Sequence, residues 1–273
     1  MNMNWLESLL FGLVSGISEF LPVSSHGHQK LLLHLFGMQE NDPVRSLIIH
    51  IAMFLALYFN LKGNVTHPQV ERGSRRHGRS TSPKAYDLRL VKNAAIPMII
   101  CICVFTYIFN RIDQLPVVVI FFIINGILLF LPERMMIGNK DARSMTVFDS
   151  LLIGFMGALS AFSGISRLGA IVLAAQARGS NRSKGLCWFL LLSAPALIML
   201  IIIDFFTIAT GGAIFSFWGN LVGYILSGIG AFATGYLGII LVKYLNVQTG
   251  YTAFAYYSWG IALLTFLLYL AVV

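Results

Sequence analysis

Eight apolar stretches divide this chain, and six of them approach or exceed the length needed to cross a lipid bilayer. A spanning helix requires ~20 predominantly apolar residues, because the hydrocarbon core offers no water to its backbone. The six uninterrupted stretches lie at about 46–61, 91–110, 115–132, 186–207, 217–242 and 251–273. Composition excludes the main alternative. Charged residues make up 11% of the chain against ~25% in ordinary soluble domains. The excess of 19 basic over 11 acidic residues therefore reads as a membrane-orientation signal rather than a nucleic-acid footprint. Cys101, Cys103 and Cys187 lie in or beside apolar stretches, with neither zinc spacing nor a disulfide framework, and read as packing residues. The first apolar segment has no basic leader and carries Glu7 and Glu19, which argues against a cleavable signal peptide.

The remaining two stretches, 5–37 and 147–178, are apolar but broken at their centres. The first break reads Leu21-Pro22-Val23-Ser24-Ser25-His26-Gly27-His28, and the second Ser163-Gly164-Ile165-Ser166-Arg167-Leu168-Gly169. Arms this short do not cross a bilayer comfortably, so each pair is expected to form a re-entrant hairpin. An offset of 142 positions sets Gly12 on Gly154, Ser18 on Ser160, Phe20 on Phe162, Ser24 on Ser166 and Gly27 on Gly169. Each broken segment precedes three plain spans. The expected fold is an all-α polytopic membrane protein with six transmembrane helices and two re-entrant hairpins. It divides into repeats 1–133 and 134–273, and three spans per repeat give the copies inverted topology.

Basic residues fix the expected orientation. The loop 62–92, the segment 134–146, the turn 178–184 and Lys243 hold fifteen of the nineteen, all on one face in this topology. The positive-inside rule makes that face cytoplasmic. Both termini, with Lys30, Arg45 and Arg111, then fall on the outer face. The polar stretch 71–84 reads as an orientation and lipid-surface signal without chemistry.

Hairpins entering from opposite faces would bring Ser24, Ser25, His26, His28, Ser166 and Arg167 together near the midplane, with Glu19 one turn away. Ionisable groups at that depth are costly unless paired or hydrated, and so mark function. A guanidinium matches phosphate oxygens. Ser24-Ser25 and Ser166 head the second arms, where free N–H groups bind anions. Gly27 and Gly169 allow close backbone approach. His28 follows Ser25 by three residues, one helical turn, as in a nucleophile–base pair. Glu19 would orient a histidine, hold a divalent cation or act as a base. Ser18 and Ser160 read as structural hydrogen-bonding residues. His34 and His50 read as packing or interface residues, Asp204 as interfacial, and the aromatic residues around 251–259 as an interfacial belt.

The stretch Gly16–His28 resembles the first signature of the bacterial undecaprenyl-diphosphate phosphatase family, linked to bacitracin resistance, which reads roughly E-G-x-x-E-F-L-P-V-S-S-x-G-H. Ser163–Ala170 resembles the second, roughly P-G-x-S-R-S-G-A-T. The resemblance implies removal of the terminal phosphate of undecaprenyl diphosphate, which recycles the carrier lipid of cell-wall synthesis. It also implies a divalent cation (Mg²⁺ or Ca²⁺) and a site open to the outer face of the bacterial cell membrane. It carries the nucleophile onto Ser25, the essential histidine onto His28, the motif carboxylate onto Glu19, the phosphate-binding arginine onto Arg167, and the phosphate-site hydroxyls onto Ser24 and Ser166. His26 and Gly169 complete the expected phosphate site. The expected partners are a polyprenyl diphosphate lipid and the membrane, not nucleic acid, with a homodimer as one assembly open to it. The sequence departs from the family pattern at Ser15, which stands for a carboxylate, and at Ser163, Leu168 and Ile171. Those departures, with the repeat, keep a non-hydrolytic polyprenyl-phosphate transporter or flippase as the alternative reading.

Overall fold

The computed structural model describes residues 3–38, 42–65, 88–109, 114–136, 138, 140, 144–211 and 220–272. Residues 66–87 and Arg143, part of the expected basic surface, and Arg111, expected on the outer face, lie outside them.

Local signals start and stop the helices. Asn4 and Glu7 form a capping box that begins α1 (Trp5–Phe20), and the helix gives way at Leu21-Pro22, where the proline disfavours helical backbone before it. Ser24 caps α2 (Ser25–Leu35), which ends at Phe36 with Gly37 at positive φ. The spans that follow are α3 (Pro43–Val65), α4 (Leu88–Phe109) and α5 (Leu115–Phe130), the last running into a 3₁₀ turn over Leu131–Arg134. A second capping box, Thr146 with Asp149, starts α6 (Val147–Ala158), and a short 3₁₀ turn over Leu159–Ala161 leads into the break. Ser166 caps α7 (Arg167–Ala177). The chain ends through α8 (Arg182–Gly211), α9 (Leu221–Gln248) and α10 (Thr252–Val272). No strand occurs among the described residues. Among the described residues six helices, α3, α4, α5, α8, α9 and α10, are long and apolar enough to cross a membrane. The protein is an all-α polytopic membrane protein.

Both broken segments fold back on themselves. Asp149, in the first turn of α6, accepts hydrogen bonds from Arg178, the C-cap of α7, and from Lys140. The two ends of that unit therefore meet. The first unit opens toward the other end of the bundle. There Ser227, near the start of α9, donates to the Ser8 carbonyl of α1 at 2.8 Å. Tyr224, one turn earlier, donates to Asp42, which precedes α3. Arg45 is buried there against the Tyr224 ring, 5.7 Å from its centroid, rather than exposed as a rim charge. The basic end is laced by Arg182, which donates to Glu133 at 3.0 Å and to the Asn246 carbonyl at 2.6 Å.

Packing follows the small residues. α1 lies along α9 and α6 along α4, while α3 packs on α8 and α9, and α5 on α10. Helices in an apolar solvent associate through close contact and interhelical hydrogen bonds, which small residues permit. A Cβ at Gly12 would sit 2.2 Å from the Ser227 carbonyl oxygen, and one at Gly154 would sit 1.9 Å from that of Ala94. The two crossings thus use glycines that the offset of 142 pairs. Phe20, Met53, Met98, Trp188 and Phe189 fill the core beneath them.

Gly12→Ala and Gly154→Ala force these backbones apart. Each is expected to destabilise the folded protein by about 1–3 kcal/mol, the usual effect of overpacking. Gly260→Ala, with nothing within 4 Å of its Cβ, is expected to be neutral or mildly stabilising. Thermal or denaturant unfolding in detergent checks the contrast.

Candidate functional site

The two chain breaks meet in the middle of the bundle. Ser24 Oγ accepts the N–H of Gly27 in its own helix at 3.3 Å and the N–H of Gly164 in the opposite break at 2.9 Å. Ser166 caps the other arm in the same manner, its Oγ accepting from Gly169 N–H at 3.3 Å. Asn125, from the middle of α5, clasps both breaks. Its Oδ1 accepts from Ser166 N–H at 2.8 Å, while Nδ2 donates to Ser258 Oγ at 2.9 Å and toward the Pro22 carbonyl at 3.5 Å. Gly164 has φ +118°, and a Cβ there would meet Phe121 and Phe122. Among the described residues, Ser24 alone of the non-glycines has positive φ, at +65°. That left-handed backbone is strained for an L-residue and persists where its surroundings impose it.

The result is a small polar cleft lined by Ser18, Glu19, Ser24, Ser25, His26, Ser160, Ile165, Ser166 and Arg167. Arg167, the first residue of α7, is 5% exposed. Its Nη1 donates to Glu19 Oε1 at 2.7 Å and its Nε to Ser160 Oγ at 3.2 Å. A guanidinium has five N–H donors, so three remain for a ligand. The serine caps take the third N–H of each arm. The N–H groups of Ser25 and His26, and of Arg167 and Leu168, stay without an acceptor among the described residues. Two helix N-termini and an arginine therefore face one cleft, an arrangement that attracts an anion.

The sequence-expected residues divide. Glu19, Ser24, Ser25, His26, Ser166 and Arg167 line the cleft together. His28 does not. Its Nδ1–H donates to the Ser24 carbonyl at 2.7 Å, and its Nε2 accepts from Tyr257 O–H at 2.8 Å. The imidazole stacks on the Tyr257 ring at 5.8 Å between centroids and meets Phe122 edge-on. Both ring nitrogens are thereby occupied, and no Ser25–His28 pair forms. Ser25 Oγ instead donates toward the Ser15 carbonyl at 3.4 Å and accepts from Gln29 at 3.3 Å. The expected spacing of one turn sets both residues on one helix, but α10 draws the imidazole away. Gly169 packs under Leu129 of α5, and its N–H is committed to Ser166. Leu168 and Ile171 are fully buried in the main core. Hydroxyls at those positions would face apolar neighbours, so their absence does not strip donors from the cleft.

Five further residues take parts that were not expected of them. Asn125 is a polar residue at the centre of a strongly apolar span, which is a sequence signal in itself. Tyr257 read as part of an interfacial belt, and nothing in the sequence tied it to His28. His50 and Asp204, read as packing and interfacial residues, instead bond to each other, Nδ1 to Oδ2 at 2.6 Å. Tyr251, also assigned to the belt, is fully buried and bonded to Asn246 at 2.9 Å.

The carboxylate suggested for a metal is already engaged by Arg167. No three His, Cys, Asp or Glu side chains come together as a metal site among the described residues. Hard divalent cations favour several oxygen ligands. The side chains present do not fit a resident Mg²⁺ or Ca²⁺, and no step below passes through one.

Fold and cleft together define a polytopic membrane protein with a polar cleft between the N-termini of two broken helices inside the bundle. The chain belongs to the bacitracin resistance protein BacA family, whose profile matches residues 8–264. It is 29% identical over 271 residues to undecaprenyl-diphosphatase 3 of Bacillus cereus, covering 97% of this chain and 98% of that one. It is 27% identical to the undecaprenyl-diphosphatase of Carboxydothermus hydrogenoformans (94% of each chain) and 27% to that of Thermosipho africanus (96% and 99%).

Ser24→Ala leaves two buried N–H groups without their acceptor. The cost is expected to be about 1–3 kcal/mol, with the Gly164 break becoming more exposed to amide hydrogen exchange. Comparing exchange at Gly164 and at a core position of α9 in the variant and parent tests this.

Proposed function

We propose that this chain is an undecaprenyl-diphosphate phosphatase that releases the terminal phosphate of a polyprenyl diphosphate within the membrane and so returns the carrier lipid to cell-wall synthesis. The observation that carries this reading is the convergence of Arg167 and the N-termini of α2 and α7 on one cleft. An anion bound there exchanges its water for fixed donors. The same donors would stabilise charge on the transferring phosphoryl group, which is the main catalytic requirement of phosphoryl transfer. The names of the curated relatives support the substrate.

On this reading Arg167 and the helix N-termini hold the diphosphate. Glu19 keeps the guanidinium oriented, and Ser166 and Ser24 fix the two arms. Ser25 offers its hydroxyl to the cleft without a base of its own, so it orients an attacking water. His28, bonded between Ser24 and Tyr257, positions the first break rather than abstracting a proton. The broken helices act as re-entrant hairpins, the first from the outer face and the second from the cytoplasmic face. Both termini and the cleft then open outward. The clustering of Arg182, Lys140 and Arg178 at the opposite end supports that orientation.

A second reading, a polyprenyl-phosphate transporter without hydrolysis, is favoured by the exchanged packing of α1 on α9 and α6 on α4. Crossings of this kind are the plan of an inverted repeat, with its site between the copies.

The test is phosphate release from undecaprenyl diphosphate by purified protein. Arg167→Ala is expected to abolish turnover. Arg167→Lys, which keeps the charge but loses the fork, is expected to retain at most about one hundredth of it. Absence of turnover in the parent, with lipid binding that still depends on Arg167, would move the assignment to transport.

A further inference from the structure

Beside the cleft lies a second polar cluster that the phosphate-binding argument does not use. His50, on α3, is buried, and its Nδ1 bonds to Asp204 Oδ2 of α8 at 2.6 Å. A carboxylate accepts only, so Nδ1 carries the proton and Nε2 is left as a base. The His50 ring lies 6.3 Å from that of His26, centroid to centroid, at an interplanar angle of 56°. His26 itself lines the cleft. Its Nδ1–H donates to the Ser160 carbonyl at 3.3 Å, so its Nε2 is likewise the free base. The two imidazoles are thus held in one tautomeric sense by groups that only accept protons. The two rings are near neighbours at the edge of the cleft.

The direction of the array is also defined. Asp204 lies seven residues before Gly211, the end of α8 away from the basic cluster. Its side chain is 15% exposed where that of His50 is 7%. The cluster therefore runs from the buried cleft toward the rim of the bundle opposite Arg182. The charged groups facing it are Glu19 from α1, Arg167 from α7 and Asp204 from α8.

We propose that His26 and His50, the latter oriented by Asp204, form a coupled acid–base pair that carries protons between the phosphate cleft and the end of the bundle opposite the basic cluster. The inference rests on the hydrolytic reading above and supplies the base that His28, with both nitrogens occupied, does not. In the step it serves, a water oxygen forms a bond to the terminal phosphorus. The bond from that phosphorus to the bridging oxygen breaks, and its electron pair stays on the lipid monophosphate. One proton of the water remains on the inorganic phosphate. The other passes to His26 Nε2 and through an intervening water to His50 Nε2, while the Nδ1 proton of His50 passes to Asp204 and leaves at the rim. In these terms His26 is a catalytic residue, while His50 and Asp204 act through it.

His50→Gln keeps an N–H for Asp204 but carries no proton. In purified protein it is expected to lower kcat by about 100-fold, the lower end of general acid–base contributions, with KM within about threefold. The acid limb of its kcat profile moves, because the coupled partner ring beside His26 has been removed. Asp204→Asn is expected to reproduce both changes, and the double variant to lose little more than either alone. Unchanged kcat and pH profile in His50→Gln, or a rise in KM alone, overturns the relay. An independent readout needs no turnover. Imidazole ¹⁵N shifts of selectively labelled parent and His50→Gln protein report the titration of His26. A His26 titration that shifts in His50→Gln supports the pair even if the parent releases no phosphate, an outcome that would defeat the phosphatase reading alone. A His26 titration that is unmoved overturns the pair whatever the turnover.

Discussion

A serine hydroxyl, Ser24 Oγ, joins the two broken segments of this protein where each stops being helical. It accepts one N–H from its own helix and one from Gly164 across the bundle. The physical necessity is plain. A helix broken inside an apolar medium exposes backbone groups that water cannot reach, and each orphan costs several kcal/mol. Two breaks placed together satisfy each other, and Asn125 completes the accounting by serving Ser166 N–H and reaching the Pro22 carbonyl. The strained φ of Ser24 belongs to the same solution, because only that backbone turn aims the hydroxyl at both donors. A cleft built this way is stiff, and its unused N–H groups are held in place before any ligand arrives.

The Glu19–Arg167 pair follows from that stiffness. A buried ion pair adds little to stability once desolvation is counted, whereas an unpaired buried guanidinium would be severely unfavourable. Glu19 therefore serves to pair with Arg167 and hold it oriented in the cleft. It does so through one nitrogen, and Ser160 takes another. The remaining donors point to where the phosphate would lie. The pair is better understood as preorganisation for an anion than as a strut between hairpins. A strut would not need the adjoining helix N-termini, which are positive at the same place.

Much of this was legible in the sequence, for a definite reason. Bilayer thickness imposes a length on every plain span, so the six long helices begin and end within a few residues of the expected positions, α9 alone running on to Gln248. The breaks were legible because Pro22, Gly164 and the serine caps are strong local signals. Arg167, Glu19, Ser24, Ser25, His26 and Ser166 meet because they sit at those breaks. What the sequence could not convey was side-chain direction across the bundle. The helical spacing of Ser25 and His28 is correct, yet Tyr257, more than two hundred residues away, decides where the imidazole goes. The His50–Asp204 bond likewise joins α3 to α8, and neither residue has a local neighbour that betrays the other. Leu168 and Ile171 looked like losses from the site because a motif is a line of letters. On a helix, however, successive positions face different ways, and these two face the core.

The two arms also show how one structural device can take on two jobs. The offset of 142 that sets Ser24 on Ser166 sets Ser25 on Arg167 and His26 on Leu168. The caps are the same in both arms, each serine accepting the N–H three residues on. The backbone problem therefore has one answer used twice. The first helical position of each arm faces the cleft and is free to differ. In α7 it supplies a guanidinium, and the next residue, Leu168, turns into the core; in α2 it supplies a hydroxyl, and the next residue brings an imidazole to the cleft. On the proposed reading, charge binding and proton handling come from opposite sides of the same cleft. Were both arms to carry arginine, the cleft would bind anions without a base. Were both to carry serine and histidine, it would lack the charge to bring a phosphate into the membrane. The cap fixes the geometry, and the residues just beyond it divide the chemistry.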